Sequence, residues 1–308
     1  MLELKEKKAV LNLYDNSTVK WEDEGKRYCL HIRQDSESGN PREWEDNIDI
    51  MACWHGNYSL GDKVDEKTPE EFWRLLVREN VSNAEIYAAA EAGKLYGIRL
   101  APNAEEPERI DVYETYYLRT VIGNSNASEV LEYEALSKDG VVDYIMDDLT
   151  ERHCMTLMEP YAEWLPLWLY DHGGITMSCG ARHYPYNDQW DSGCVGWIVM
   201  MKEKAMSELG ADEETWRERA VACMETSVKT YDQYLTGDVY GYTQYVEKTD
   251  DGGNAEWAEI DSCWGFFGSD VLESGLAENV SYGLWEAIQE DRYEVGEAVL
   301  KTASWYEF

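Results

Sequence analysis

The fold is decided by Leu165-Pro166-Leu167-Trp168-Leu169-Tyr170-Asp171-His172-Gly173-Gly174-Ile175-Thr176-Met177-Ser178, followed after a loop by Trp190-Asp191-Ser192-Gly193-Cys194-Val195-Gly196-Trp197. Leu165 to Tyr170 and Ile175 to Ser178 are short apolar runs, which predict two strands joined at Asp171 to Gly174. Two adjacent glycines accept positive φ, and an aspartate bonds its own backbone two residues on, so the junction is a tight turn. A third strand is expected from Val195 to Met201, with Asp191-Ser192-Gly193 as the bend into it.

Working outward, strands are expected at Ala9 to Tyr14, Thr18 to Trp21 and Arg27 to Arg33, the last two joined by a turn at Glu22 to Gly25, and at Asn47 to His55. Thr68-Pro69-Glu70-Glu71 places an N-cap, a first-turn proline and a reciprocating glutamate, so a helix runs to about Glu79 with Phe72, Leu75 and Leu76 inward. Ser82-Asn83-Ala84-Glu85 repeats the capping box, and Gly93 ends that helix. Strands at Leu95 to Leu100 and Ile110 to Ile122 precede acidic helices at Ser128 to Ser137 and Val141 to Arg152. Beyond the central stretch, helices are expected at Lys202 to Leu209 and Glu213 to Leu235, the second with Trp216, Ala220, Cys223, Val228, Tyr231 and Leu235 as its core stripe. Val239 to Val246 and Trp257 to Phe267 flank Asp250-Asp251-Gly252-Gly253-Asn254, a hairpin signal. Leu276, Val280, Leu284 and Ile288 predict a terminal helix.

The pattern is α+β: antiparallel sheets with packed helices and an inserted acidic α/β subdomain. The expected divisions are a strand-rich part with one capped helix at 1–82, the insert at 83–163, a central core at 164–269 and an acidic helical tail at 270–308.

Charge is the compositional outlier. The 308 residues include 62 acidic and 27 basic side chains, a formal net charge of -35. Residues 103–163 carry 15 acids against 4 bases, and residues 164–269 carry 18 against 7, so the excess lies in folded segments and not in a tail. Such a surface repels nucleic acid and anionic lipid, which excludes direct binding of either, and favours a basic protein partner. The 13 Trp and 22 Tyr fit a binding face of aromatics and carboxylates. The seven cysteines lack paired spacing and read as reduced, mostly buried thiols of a cytoplasmic protein, and no stretch reaches the ~20 apolar residues of a membrane span.

Neither a phosphate loop, a dinucleotide fingerprint nor a nucleophile elbow is present, so no cofactor is expected. The candidate catalytic residues are Asp171, His172 and Asp191, which converge if the strand ends meet, as an acid-base pair or a divalent-ion site requires. The competing reading is a hydrogen-bonded turn. A zinc set of Cys179, His183, His172 and Cys194 has no C-x2-C pair to support it. Candidate partner-binding acids are Glu129, Glu132, Asp143, Asp147, Asp148 and Glu151, at helical spacings that share a face; Glu105, Glu106, Glu108, Asp111 and Glu114 lead into that row.

Arg42, Asp46-Asn47, Met51, Cys53, His55, Tyr58 and Leu60-Gly61-Asp62 begin a series that continues with Leu169-Tyr170-Asp171-His172, Gly174-Ile175-Thr176-Met177-Ser178, Trp190-Asp191-Ser192-Gly193 and Val195-Gly196. It closes with Tyr231-Asp232-Gln233-Tyr234-Leu235-Thr236-Gly237-Asp238-Val239-Tyr240-Gly241 and Asp261-Ser262-Cys263-Trp264-Gly265-Phe266. In order and wording these strings resemble a family of uncharacterised proteins of phages and conjugative elements. The resemblance implies a mobile-element context and no catalytic residue. Residues 83–163 and Tyr184 to Gln189 depart from the family pattern; Cys179, His183 and Cys194 fall off it, while Asp171, His172 and Asp191 fall on it. The expectation is an accessory protein that binds and inhibits a host defence component, a restriction, CRISPR or other nuclease, as an acidic nucleic-acid mimic. The alternatives are a metal-dependent hydrolase or nuclease on Asp171, His172 and Asp191, and a structural or assembly module.

Overall fold

The structure, a computed structural model, describes residues 16–101, 115–118, 138–180, 190–249 and 251–297. In chain order its elements are β1 (Ser17–Asp23), β2 (Lys26–Gln34), a 3-10 turn at Pro41–Glu43, β3 (Ile50–Cys53), α1 (Pro69–Asn80), α2 (Asn83–Glu91), β4 (Ile98–Ala101) and β5 (Thr115–Leu118). They continue with α3 (Lys138–Asp148), α4 (Glu151–Met158), β6 (Ala162–Asp171), β7 (Ile175–Cys179), β8 (Ser192–Met201), α5 (Lys202–Glu208) and α6 (Trp216–Thr236). The last are β9 (Val239–Thr249), β10 (Ala255–Phe267), α7 (Leu276–Asn279), α8 (Leu284–Gln289) and β11 (Tyr293–Glu297). The expected strand Ala9 to Tyr14, the expected helix Ser128 to Ser137 and the ends of the expected strand Ile110 to Ile122 lie outside the described residues.

The decisive stretch forms the middle of an antiparallel sheet of order β3-β8-β6-β7. Side chains alternate across it. Met51, Leu165, Leu167, Leu169, Ile198 and Met200 meet the stripe of α6 on one face, while Ala52, Ala162 and Val199 join α1 to α4 on the other. The sheet is thus a middle layer between helices. Helix α6 carries Trp216, Ala220, Met224, Val228 and Tyr231 buried, so Met224 takes a place the spacing gave to Cys223, which is half-buried. Asp232 anchors it by accepting from Thr176 Oγ1 (2.6 Å) and the Met177 amide (2.7 Å) of β7.

The caps form as local chemistry dictates. The Thr68 hydroxyl accepts from the Glu71 amide and Glu71 accepts from the Lys67 amide, and Ser82 and Glu85 close their box reciprocally, each cap worth about 1 kcal/mol. The inward face of α1 differs from expectation: Phe72, Trp73, Leu76 and Val77 are buried and Leu75 is exposed. Trp73 turns the stripe because it meets Trp164 and Trp197 edge-on from the sheet, at 5.2 and 6.1 Å between ring centroids. The described part of residues 83–163 packs into this same core, with Ile86, Ile145, Leu149 and Met158 beside Trp73. Val141 to Arg152 is two helices, since Thr150 lies outside both and caps the second.

A second antiparallel sheet has the order β10-β9-β2-β1-β11. The β1 to β2 turn uses positive φ at Glu24 and Gly25. One face of this sheet is closed by α7 and α8: Tyr282 stacks on Tyr28 and its carbonyl accepts from Trp21 Nε1 (2.6 Å). The tail therefore differs from the single helix expected. Leu276, Val280, Leu284 and Ile288 are all buried, but Tyr282 and Gly283 are both left-handed and break the helix, and β11 then fills the open edge of β1. A third pair, β4 and β5, is parallel. No helix among the described residues is long and apolar enough to cross a membrane.

Candidate functional site

The ends of β6, β7 and β8 meet at the turn, where Gly173 holds φ +76. The Asp171 amide donates to the Asp191 carbonyl at 2.7 Å, which ties the turn to the bend before β8 and brings all three candidate residues together. Their side chains then divide. His172 Nδ1 and Asp191 Oδ2 lie 2.7 Å apart, whereas Asp171 Oδ1 accepts from the Tyr58 hydroxyl at 3.3 Å. That bond, and the charge behind it, push the Tyr58 phenol above its usual range. His55 stacks on Tyr58 at 5.0 Å and 16°, and its Nδ1 accepts from the Asn57 amide. The His172 side chain is 70% exposed and Asp191 35%, so water screens the pair. An imidazole held at Nδ1 by a carboxylate presents Nε2 outward, where it can take up or deliver a proton.

The loop bearing His55 and Tyr58 borders an open cleft of about 770 Å³ and is pinned from below by an ion network that the sequence reading missed. Arg42, with its side chain 2% exposed, donates to both Asp62 oxygens at 2.8 Å and to Asp49 Oδ1 at 2.8 Å. Asp62 Oδ2 also accepts from the Met51 amide (2.8 Å), and Asp49 Oδ2 from the Ser227 hydroxyl (2.6 Å). Burial pushes the Asp49 carboxyl up, against the pull of Arg42 and Ser227. Arg42 is kept charged, despite its burial, by its bonds to Asp62 and by Asp49. Gly61, at φ +67, leaves no room for a side chain, since a Cβ there would meet the Met51 carbonyl at 2.2 Å. The available signal was Ile48-Asp49-Ile50, a carboxylate inside an apolar strand, which requires a partner.

The zinc residues do not assemble. Cys179 on β7 and Cys194 on β8 flank β6, two strand spacings or about 10 Å apart, too far to share an ion that binds sulfur at about 2.3 Å. Burial pushes the Cys179 thiol up to about 12 and raises that of Cys194. His183 lies outside the described residues. Among the described residues no three His, Cys, Asp or Glu side chains could hold a metal ion together.

Of the acidic row, Asp143, Asp147 and Asp148 are exposed on α3, while Val141, Val142, Ile145, Met146 and Leu149 are buried beneath them. Glu151 differs: it opens α4, is half-buried and accepts from Trp197 Nε1 at 2.6 Å. Glu129, Glu132 and the five acids from Glu105 to Glu114 lie outside the described residues.

Comparison with protein-family models, with curated proteins and with solved structures finds no match.

Proposed function

We propose that the protein is an accessory factor of a phage or other mobile element that binds and inhibits a basic host defence component, a restriction, CRISPR or other nuclease, by occupying its nucleic-acid cleft. The observation that carries the reading is Asp143, Asp147 and Asp148 standing outward on a helix whose other side is buried. A packed helix holds carboxylates at fixed spacing, about 6 Å of rise between positions four apart. If every lysine and arginine held one carboxylate, 35 carboxylates would still lack a cation, and a cationic cleft relieves that repulsion. The test is DNA cleavage by purified restriction and RNA-guided nucleases with added protein. Inhibition should weaken as salt rises, and Asp143→Lys/Asp147→Lys/Asp148→Lys should abolish it at unchanged melting temperature; inhibition indifferent to both salt and reversal sinks the reading. Glu151 stays out of that variant because it holds Trp197.

A second reading, hydrolysis on the turn residues, rests on the 2.7 Å contact of His172 with Asp191. Cleavage of bis-p-nitrophenyl phosphate with Mn2+, lost in His172→Ala and Asp191→Asn without loss of melting temperature, would favour it over inhibition.

A further inference from the structure

In a chain where 62 of 308 residues are Asp or Glu, one lining stands apart. An open cleft of about 660 Å³ lies between the 3-10 turn Pro41–Glu43, the end of α5 and the outer face of α6; its eleven lining residues include two arginines and no carboxylate. At the chain's average of one acid in five, about two would be expected there. The walls are apolar, with Pro41, Trp44, Leu209 and Ala222 among them, and Trp44 is 46% exposed, its ring braced edge-on by Phe267 at 5.4 Å. The two arginines differ in what they have left to offer. Arg42 is consumed by Asp49 and Asp62. Arg219 spends one nitrogen, Nη1, on the Leu209 carbonyl (2.6 Å) and the Gly210 carbonyl (3.4 Å), neutral acceptors; Asp212 feels its charge but makes no ion pair with it, so its other nitrogens are open to a ligand.

We propose that this cleft binds a small amphipathic anion, an apolar body against Trp44 and Ala222 with one carboxylate, sulfonate or phosphate on the guanidinium of Arg219. The volume lies within the ~300–1,000 Å³ of small-molecule sites, and such sites combine apolar walls with one or a few placed polar groups. Placement of the anion follows from charge: elsewhere the acidic surface repels it, and here the exposed Arg219 guanidinium at the rim of the cleft attracts it. The site is remote in kind from the acidic helix and stands whether or not the protein inhibits a nuclease.

The experiment uses the full chain and two fluorescent probes of similar body, anionic 8-anilinonaphthalene-1-sulfonate and neutral N-phenyl-1-naphthylamine. The expected result is saturable binding of the anionic probe at one site. Arg219→Gln should weaken the anionic probe about tenfold, the worth of one charge-assisted hydrogen bond, and leave the neutral probe unchanged. Ala222→Trp, on the exposed side of α6, fills the cleft and should abolish binding of both at unchanged melting temperature; it keeps the test decisive if Arg219→Gln loosens the end of α5. Binding of the anionic probe that survives Ala222→Trp, or no saturable binding in the unmodified protein, overturns the proposal.

Discussion

At the scale of single residues, thiols and buried ions divide the chain into inert and structural positions. Burial pushes Cys29 up to about 11 and Cys53, Cys154 and Cys179 up to about 12, and the thiolate is the reactive form. At pH 8, iodoacetamide should modify Cys194, the exposed one, and leave those four untouched until denaturant is added, as peptide mass spectrometry will read. The Arg42 network carries a larger consequence. Removing one partner of a buried pair strands the other charge at a cost of about 3–5 kcal/mol, so Arg42→Ala should lower the urea midpoint strongly, and a shift equivalent to less than about 1 kcal/mol would contradict the network's role. Glu85 gives a pH dependence with a definite sign. Its bonds from Ser82 and Tyr161 hold its carboxyl below the usual range, so its stabilisation is present above the unfolded-state value and lost as pH falls through the folded one. The melting-temperature gap between the unmodified protein and Glu85→Gln should be open at pH 7 and close once pH has fallen below the ordinary glutamate range.

At the scale of elements, close approach between strands makes the sharpest demand. A Cβ at Gly196 would sit 1.9 Å from the Ala52 carbonyl, where β3 meets β8, whereas one at Gly193 on the same strand would meet nothing within 4 Å. Gly196→Ala should therefore cost about 1–3 kcal/mol or more while Gly193→Ala is nearly silent in thermal unfolding. The same contrast explains what was legible beforehand. Helix starts at Pro69 and Asn83 were readable because a cap is settled within four residues, and the hairpins at Glu24 and Gly173 because glycine beside an acidic side chain is local chemistry. The inward turn of Trp73, the division of the strands into two separate sheets and the strand at Tyr293–Glu297 were not, because each is decided by a partner far away in the chain. At the candidate site, the turn brought Asp171, His172 and Asp191 together as their positions suggested, but Tyr58 and His55 arrive from a loop more than a hundred residues earlier.

At the scale of the whole molecule, a net charge of -35 over the chain strains the compact state by self-repulsion, which salt screens over about 10 Å at 0.1 M. Melting temperature should rise between 0.01 and 0.5 M NaCl, and a flat response would mean that the carboxylates are too dispersed to act together. The order β10-β9-β2-β1-β11 sets a further condition, one of time. The β1 to β2 hairpin has β9 on one side and β11 on the other, and Gln34 and Val239 are separated by about 200 residues. A ribosome adding roughly 5–20 residues per second needs on the order of 10–40 s to cross that interval. Throughout it the nascent hairpin carries Leu30 and Ile32, both fully buried in the finished sheet, with neither neighbour yet made. The β1 to β2 hairpin is thus made well before the strands that enclose it, and for that interval it is a waiting template for strand addition.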